Sequence, residues 1–211
     1  MRANMKSNTQ NVQKKYNKYA TFYDLVEWPI EKFVFRKWRS KLFSQIRGNT
    51  LEVGVGTGNN IEFYSKSANV TAIDLSPNML DKARTKAKFH NGKTVELLEA
   101  DVHNLSNFKA QSFTYVVCTF VLCSVADPVQ ALREMKRVLK KDGKLIMVEH
   151  VLSKNKLVAL WQHIHNPITR LLFGFNVNRD TKNNIEKSGL YIINDEKLGF
   201  FDIFRKFTCE K

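Results

Sequence analysis

The sequence predicts an α/β fold, a doubly wound and mostly parallel sheet finished by an antiparallel edge. Three observations carry that prediction. From residue 50 to 151, short apolar runs alternate with helix-length amphipathic segments. Helix starts carry capping residues, as at Ser76–Pro77 and Asp127–Pro128. Three of the chain's nine glycines fall within five positions of "LEVGVGTGNN", directly after the first strand-like run. Strands that alternate with helices of this length form a parallel sheet covered on both faces.

Residues 1–15, polar and basic, read as a mobile arm without the apolar segment of a secretory signal. From Tyr16 to about Ile46 the apolar residues fall at helical spacing. Phe33, Phe35, Trp38, Leu42 and Phe43 alternate there with lysines and arginines, giving a basic aromatic helix closed by Gly48. "TLEVGV" is the first strand, "NIEFYSKS" a short helix and "VTAID" the second strand. A helix then opens at Ser76–Pro77. "VELLEAD" and "FTYVVCTF" are the third and fourth strands. "DPVQALREMKRVLKK" is a helix with basic residues at its C-terminal end, and "LIMVEHV" is the fifth strand. The tail adds two short helices broken at Asn166–Pro167, a helix ending at Gly189, and "YIINDEKLG" with "FDIFRKFTC" as an edge hairpin.

No repeat, low-complexity tract or Pro/Gly-rich linker divides the 211 residues, a length that suits one domain. The expected organisation is an arm (1–15) and a domain (16–211). The domain holds a helical lid (16–47), a ligand-binding core (50–151) and a capping insert (152–182). No apolar run approaches the roughly 18 residues of a membrane span. Three scattered cysteines make no disulfide framework, which places the chain in a reduced, cytoplasmic setting. No metal-ligand spacing appears. There are 34 Lys+Arg against 20 Asp+Glu, a formal net charge of +14. Such a surface attracts polyanions, either nucleic acid or an anionic membrane face.

Ligands of doubly wound sheets sit beyond the carboxyl ends of the strands. Gly54, Gly56 and Gly58 follow the first strand and let the main chain touch a ligand. Asp74 ends the second strand about 20 residues further on, where a carboxylate grips ribose hydroxyls. Asp101 ends the third strand. The three features converge on one crevice and point to a nucleoside-containing cofactor. The spacing is G-x-G-x-G rather than the dinucleotide G-x-G-x-x-G, and Glu52 precedes it. An acid there repels phosphates and suits a cation, which a sulfonium with an amino-acid tail, S-adenosyl-L-methionine, supplies.

"LEVGVGTGNN", "AIDLSPNML", "EADVHNL" and "ALREMKRVLKKDGKLIMVEHV" resemble, in order and spacing, the motif series of class I S-adenosylmethionine-dependent methyltransferases. The resemblance covers about residues 50–151. It implies a seven-stranded, Rossmann-like sheet whose last strand is antiparallel. It implies Glu52, Gly54, Gly56, Gly58 and Asn59 around the methionine part of the cofactor and Asp74, with Leu75 and Met79, at the ribose end. Asp101 and Val102 would meet the adenine, Thr119 would lie near the sulfonium, and Tyr16 would reach down from the lid. "YNKYATFYDLVEWP" and the 127–150 segment resemble the branch with quinone C-methyltransferases and bacterial phosphatidylethanolamine N-methyltransferases. "WQHIHNPITRLLFGFNVNRDT" resembles small-thiol S-methyltransferases.

Methyl transfer is an in-line displacement in which positioning supplies about 7–11 kcal/mol of the barrier, so no catalytic triad is expected. Tyr16, Tyr19 and Tyr23 share one helical face, and Tyr23 is the candidate to contact the acceptor. His150, at the end of the fifth strand, is the candidate base. Cys118 and Cys123 read as packed thiols. The apolar, aromatic and basic "LVALWQHIHNPITRLLFGF" reads as a lipid-facing or pocket-walling element. The expected activity is methylation of a small or lipid-like acceptor beside an anionic membrane at the inner face. Phosphatidylethanolamine comes first as acceptor, a quinone precursor or a small thiol as alternatives. RNA methylation and non-catalytic cofactor binding are the rival classes. The oligomeric state is left open.

Overall fold

The computed structural model describes residues 2–90, 95–199 and 202–211. Its strands are β1 (Gly48–Val53), β2 (Ala68–Asp74), β3 (Glu96–Glu99), β4 (Phe113–Thr119), β5 (Leu139–His150), β6 (Tyr191–Leu198) and β7 (Phe204–Glu210). They form one sheet in the order β3-β2-β1-β4-β5-β7-β6. The first five strands pair in parallel, and β7 runs antiparallel between β5 and β6. The expected hairpin is therefore an edge insertion with its second strand inside. Phe201, where the sequence reading began that strand, lies outside the described residues.

Successive residues of a strand face opposite sides, and both sides here are buried. Leu51, Val116, Cys118, Leu145 and Met147 pack on one face, and Ala72, Val117, Ile146 and Val148 on the other. Helix α4 (Pro128–Val138) covers the first face with Leu132, Met135 and Val138, all fully buried. Each such side chain contributes about 2 kcal/mol by leaving water. Helices α2 (Arg36–Phe43) and α3 (Pro77–Ala87) cover the second with Leu42, Phe43, Leu80 and Ala83. The caps are built as expected. Ser76 Oγ accepts from Met79 N at 3.2 Å, and Asp127 Oδ1 from Gln130 N at 3.0 Å, each worth about 1 kcal/mol.

Two local expectations change. The first fifteen residues do not stand apart as an arm: from Arg2 they belong to α1 (Arg2–Ile30), and Gln13 Nε2 donates to the Leu75 carbonyl at 2.7 Å. Met1 lies outside the described residues. Pro29 removes an amide near the end of α1, and the chain passes through a wide π turn (Glu31–Phe35) into α2 without breaking. The second change is in the tail. Helix α5 (Lys156–Leu172) runs through Pro167 as a single helix. The carbonyl left without its amide belongs to His163, an exposed residue, so solvent can serve it and the helix is not forced to end. Helix α6 (Thr181–Ser188) ends at Gly189 in the left-handed conformation, φ +79°.

Candidate active site

The chain leaves β1 toward β2 and β3, then returns to place β4 on the other side of β1. This reversal opens a crevice at the strand C-termini. The cleft there is floored by Val53, Gly54 and Gly56, walled by Asp74 and Asp101, and closed by the turn Thr119–Val121 after β4. Helix α1 lies across it and contributes Thr9, Val12, Tyr16 and Tyr23. Tyr16 and Ser124 share a hydroxyl hydrogen bond of 2.6 Å, Ser76 Oγ donates to Asn17 Oδ1, and Thr57 Oγ1 donates to Asp24 Oδ1 at 2.6 Å.

The three glycines do three different things. A Cβ on Gly54 would stand 2.4 Å from Val121 Cγ2, so the close approach of the β1 and β4 loops requires its absence. A Cβ on Gly58 would meet Ile61 and the backbone of Ala83 in α3, at 2.7 and 3.0 Å. A Cβ on Gly56 would meet nothing within 4 Å and would project into open space beside the cleft, with φ at +56°. Asp74 Oδ2 accepts from Gly56 N and Oδ1 from Ser76 N, both at 2.8 Å. Burial raises its pKa against those bonds. Its two oxygens carry about four acceptor positions, which the backbone amides of Gly56, Ser76 and Leu75 do not fill, so capacity remains for a ribose hydroxyl. Asp101 Oδ1 takes both His103 N at 2.9 Å and His103 Nδ1 at 2.6 Å. Partial burial opposes its charge, but the His103 bonds outweigh burial and lower its pKa.

Ten of the residues expected at the site line this cleft. Tyr16, Tyr23, Gly54, Gly56 and Asp74 do so, as do Leu75, Met79, Asp101, Val102 and Thr119. Four do not. Gly58 packs under α3, and Asn59 Oδ1 is taken by Lys86 on the outer side of the loop. Glu52 is fully buried beneath the cleft floor, where Asn60 and Tyr64 hydrogen-bond its carboxyl. Burial pushes its pKa up to about 8, against the Asn60 hydrogen bond and the nearby charge of Arg39. His150 lines a second, neighbouring chamber. Burial pushes it down to about 4, against a backbone hydrogen bond with Val177, so the titration range that recommended it as a base is lost.

That second chamber adjoins the cleft, sharing Tyr16, Tyr23 and Phe120 with it. Its walls are aromatic: Tyr19, Phe22, Phe35, Phe120, Phe173 and Phe204. Among the described residues no carboxylate, lysine or arginine lines it; Cys123 and His150 add the polar side-chain atoms besides the tyrosine hydroxyls. At about 240 Å³ it is larger than the cleft, at about 130 Å³. Phe120 stands between the two with φ at +60°, a conformation that an aromatic residue adopts only under constraint. The constraint is visible on both sides of the turn it opens. Glu149 Oε1, fully buried, accepts from Val121 N and Leu122 N at 3.0 and 3.1 Å. Arg179 donates to the carbonyls of Leu122 and Val125 at 3.1 and 2.8 Å. Burial pushes Glu149 up to about 7.

Sequence reasoning missed Phe120, Arg179 and Arg39. Arg39 is 7% exposed and runs from α2 to the cleft floor, donating to Asn60 Oδ1 and Thr119 Oγ1 at 2.8 Å each. Its spacing was visible, but it was grouped with the solvent-facing cations of its helix. Nothing local marks a cation that turns inward.

Comparison with known proteins agrees with the crevice. The family model described as "Methyltransferase domain" matches residues 51–147. Thiol S-methyltransferase TMT1B of Rattus norvegicus is 36% identical over 169 residues, covering 73% of this chain and 69% of that protein. Phosphatidylethanolamine N-methyltransferase of Cereibacter sphaeroides is 39% identical over 104 residues, 49% of this chain and 51% of that one. Demethylmenaquinone methyltransferase of Listeria welshimeri is 31% identical over 169 residues, 76% and 70% respectively. Among solved structures, a SAM-dependent methyltransferase of Thermotoga maritima superposes with TM-score 0.69 at 18% identity, covering 93% and 98%. The chain belongs to the S-adenosylmethionine-dependent methyltransferases. S-adenosylmethionine is its cofactor, and the cleft fits it: Gly56 leaves open space for it, and Asp74 retains acceptor capacity for its ribose.

Proposed function

We propose that this methyltransferase acts on a small apolar acceptor that carries a protic nucleophile, a thiol first. The observation that supports this is the aromatic chamber beside the cleft, which has no charged side chain among its described lining residues. A phosphatidylethanolamine headgroup carries a phosphate and an ammonium, and burying either without a partner costs several kcal/mol. The chamber offers neither a counter-charge. A quinone ring is the second reading, because an aromatic wall also suits a flat ring.

In this reading Asp74 and the Gly54–Gly56 backbone hold the cofactor, with Asp101 and Val102 at its adenine end and Thr119 at the floor. When bound, S-adenosylmethionine supplies a methyl carbon already activated by its sulfonium. Tyr16, Tyr23 and Phe120, at the junction, align the nucleophile and exclude water, which is where most of the rate is gained. The acceptor sulfur would take the methyl carbon and release its thiol proton to solvent through the chamber mouth, the electron pair of the broken C–S bond staying with the former sulfonium sulfur. His150, which burial pushes down to about 4, is not the store for that proton.

The test supplies methyl-labelled cofactor with three acceptors in parallel: a small aryl thiol, a demethylated quinol and phosphatidylethanolamine vesicles. Methylated thioether as the dominant product supports the reading. Label confined to the phospholipid would overturn it, and label on the quinol carbon would establish the second reading.

A further inference from the structure

Helix α5 is built with its polarity reversed. Gln162 is its one buried residue, donating to the carbonyls of Val151 and Val177 at 2.9 and 2.8 Å and accepting from Ser153 N at 2.8 Å. The residues that sequence periodicity would place in a core face outward instead. Leu157, Leu160, Trp161, Ile164, Ile168 and Leu171 are between 54% and 79% exposed. Their spacing of three and four makes one continuous stripe. Isolated exposed apolar residues are ordinary, but a stripe of this length marks a surface that is covered in use.

A second stripe runs along α1 and the turn after it, where Phe22, Leu25, Trp28 and Phe33 are 56–74% exposed. The two helices meet at the end of α5. Lys15 Nζ donates to the carbonyls of Arg170 and Leu171 at 2.7 and 2.6 Å, and the Tyr19 ring lies 6.0 Å from that of Phe173. The junction is the rim of the aromatic chamber, since Phe22, Ile30 and Phe173 are at once exposed and part of its lining.

What covers this surface is indicated by its charge. From Lys154 to Phe173 there is no acidic residue, while Lys154, Lys156 and Arg170 are exposed. On α1 Lys14 and Lys18 are exposed, as is Lys32 in the π turn after it, whose Nζ lies over the rings of Trp28 and Phe33 at 4.9 and 5.6 Å. An ammonium held over the rings of an exposed apolar stripe keeps positive charge at the surface that is to be covered, as suits an anionic lipid face. A second copy of the same face would set these lysines against one another. We propose that the stripes of α5 and α1 dock the protein on an anionic lipid surface, with the chamber opening onto that surface so that an apolar acceptor enters from it. The route for the acceptor rests on the chamber being the acceptor site; the docking does not.

Co-sedimentation with vesicles tests the docking without turnover. The wild-type protein is expected in the pellet with vesicles of phosphatidylcholine and phosphatidylglycerol, and largely in the supernatant with phosphatidylcholine alone or in high salt. The double variant Leu160→Glu, Ile164→Glu changes two solvent-facing residues outside both cavities. It should lose vesicle binding by at least about tenfold, as two buried apolar groups are exchanged for charges. Its unfolding temperature and its turnover of a water-soluble thiol should remain those of the wild type. Unchanged vesicle binding in the variant would overturn the proposal. So would a wild-type protein that stays in the supernatant, or one that is a dimer in solution and becomes monomeric in the variant. Loss of binding with thiol turnover absent in both proteins would leave docking standing and overturn the acceptor reading.

Discussion

Gly54 and Gly56 are two residues apart, have similar backbone angles, and should fail in opposite ways when each is changed to alanine. Their φ values are +70° and +56°, so either alanine carries the left-handed penalty of about 1–2 kcal/mol. At Gly54 the new methyl would also stand 2.4 Å from Val121 Cγ2, and overpacking adds about 1–3 kcal/mol. The total for Gly54→Ala is about 2–5 kcal/mol. At about 2–4 °C per kcal/mol for a chain of this size, thermal unfolding of the ligand-free variant should fall by roughly 4–20 °C. Gly56→Ala meets no atom within 4 Å and should fall by only a few degrees. Its methyl, however, projects where the cofactor would lie, so its loss should appear in binding. Calorimetric titration with S-adenosylmethionine should show affinity reduced by about tenfold or more, equivalent to at least about 1.4 kcal/mol. The stabilisation that saturating cofactor gives the wild type should shrink accordingly. Equal unfolding temperatures for the two variants, or wild-type affinity in Gly56→Ala, would refute the division of labour between them.

The buried Glu52 makes a stability prediction. Its folded pKa is about 8 against 4.5 for the free group, so its contribution is fully present below pH 4.5 and is lost as pH rises through 8. Glu52→Gln should therefore be close to wild type at pH 5 and more stable than wild type at pH 9, read from unfolding temperatures across that range. His150 has the opposite sign. Its folded pKa is about 4 against 6.5, so its contribution is complete above 6.5 and is lost as pH falls toward 4, a window that His150→Gln should flatten. The same shift means that the pH–rate profile should show no limb near 6.5; a limb there that disappears in His150→Gln would identify His150 as a base.

The parallel core and the crevice were legible in the sequence because they are written in local signals. Ser76 and Asp127 stand at helix starts, Asp74 ends β2, Asp101 follows the end of β3 by two residues, and glycines follow β1. What was not legible depends on which way a side chain turns once the sheet is assembled. Glu52 and Asp74 look alike as acids at the ends of strands, yet Glu52, one residue from the end of β1, turns under the sheet to Asn60 and Tyr64. Arg39 looked like its neighbours Arg36 and Lys37, which are exposed, but points inward. The break expected at Pro167 failed because periodicity says nothing about whether the orphaned carbonyl faces solvent. The aromatic chamber draws on Tyr19, Phe35, Phe120, Phe173 and Phe204, scattered across nearly the whole chain, so no window of sequence contains it.

Gln162 separates how α5 is attached from what α5 displays. A helix held by an apolar stripe cannot alter that stripe without loosening its own seat. Here the seat is made of polar bonds to backbone, the three of the Gln162 amide and that of Asn166 Oδ1 with Val177 N among them, and backbone atoms are the same whatever residues flank them. Substitutions on the outward stripe are therefore free of the constraint that governs ordinary core positions. A lineage can retune this surface, greasier or more polar, while the helix and the chamber rim it supports stay where they are.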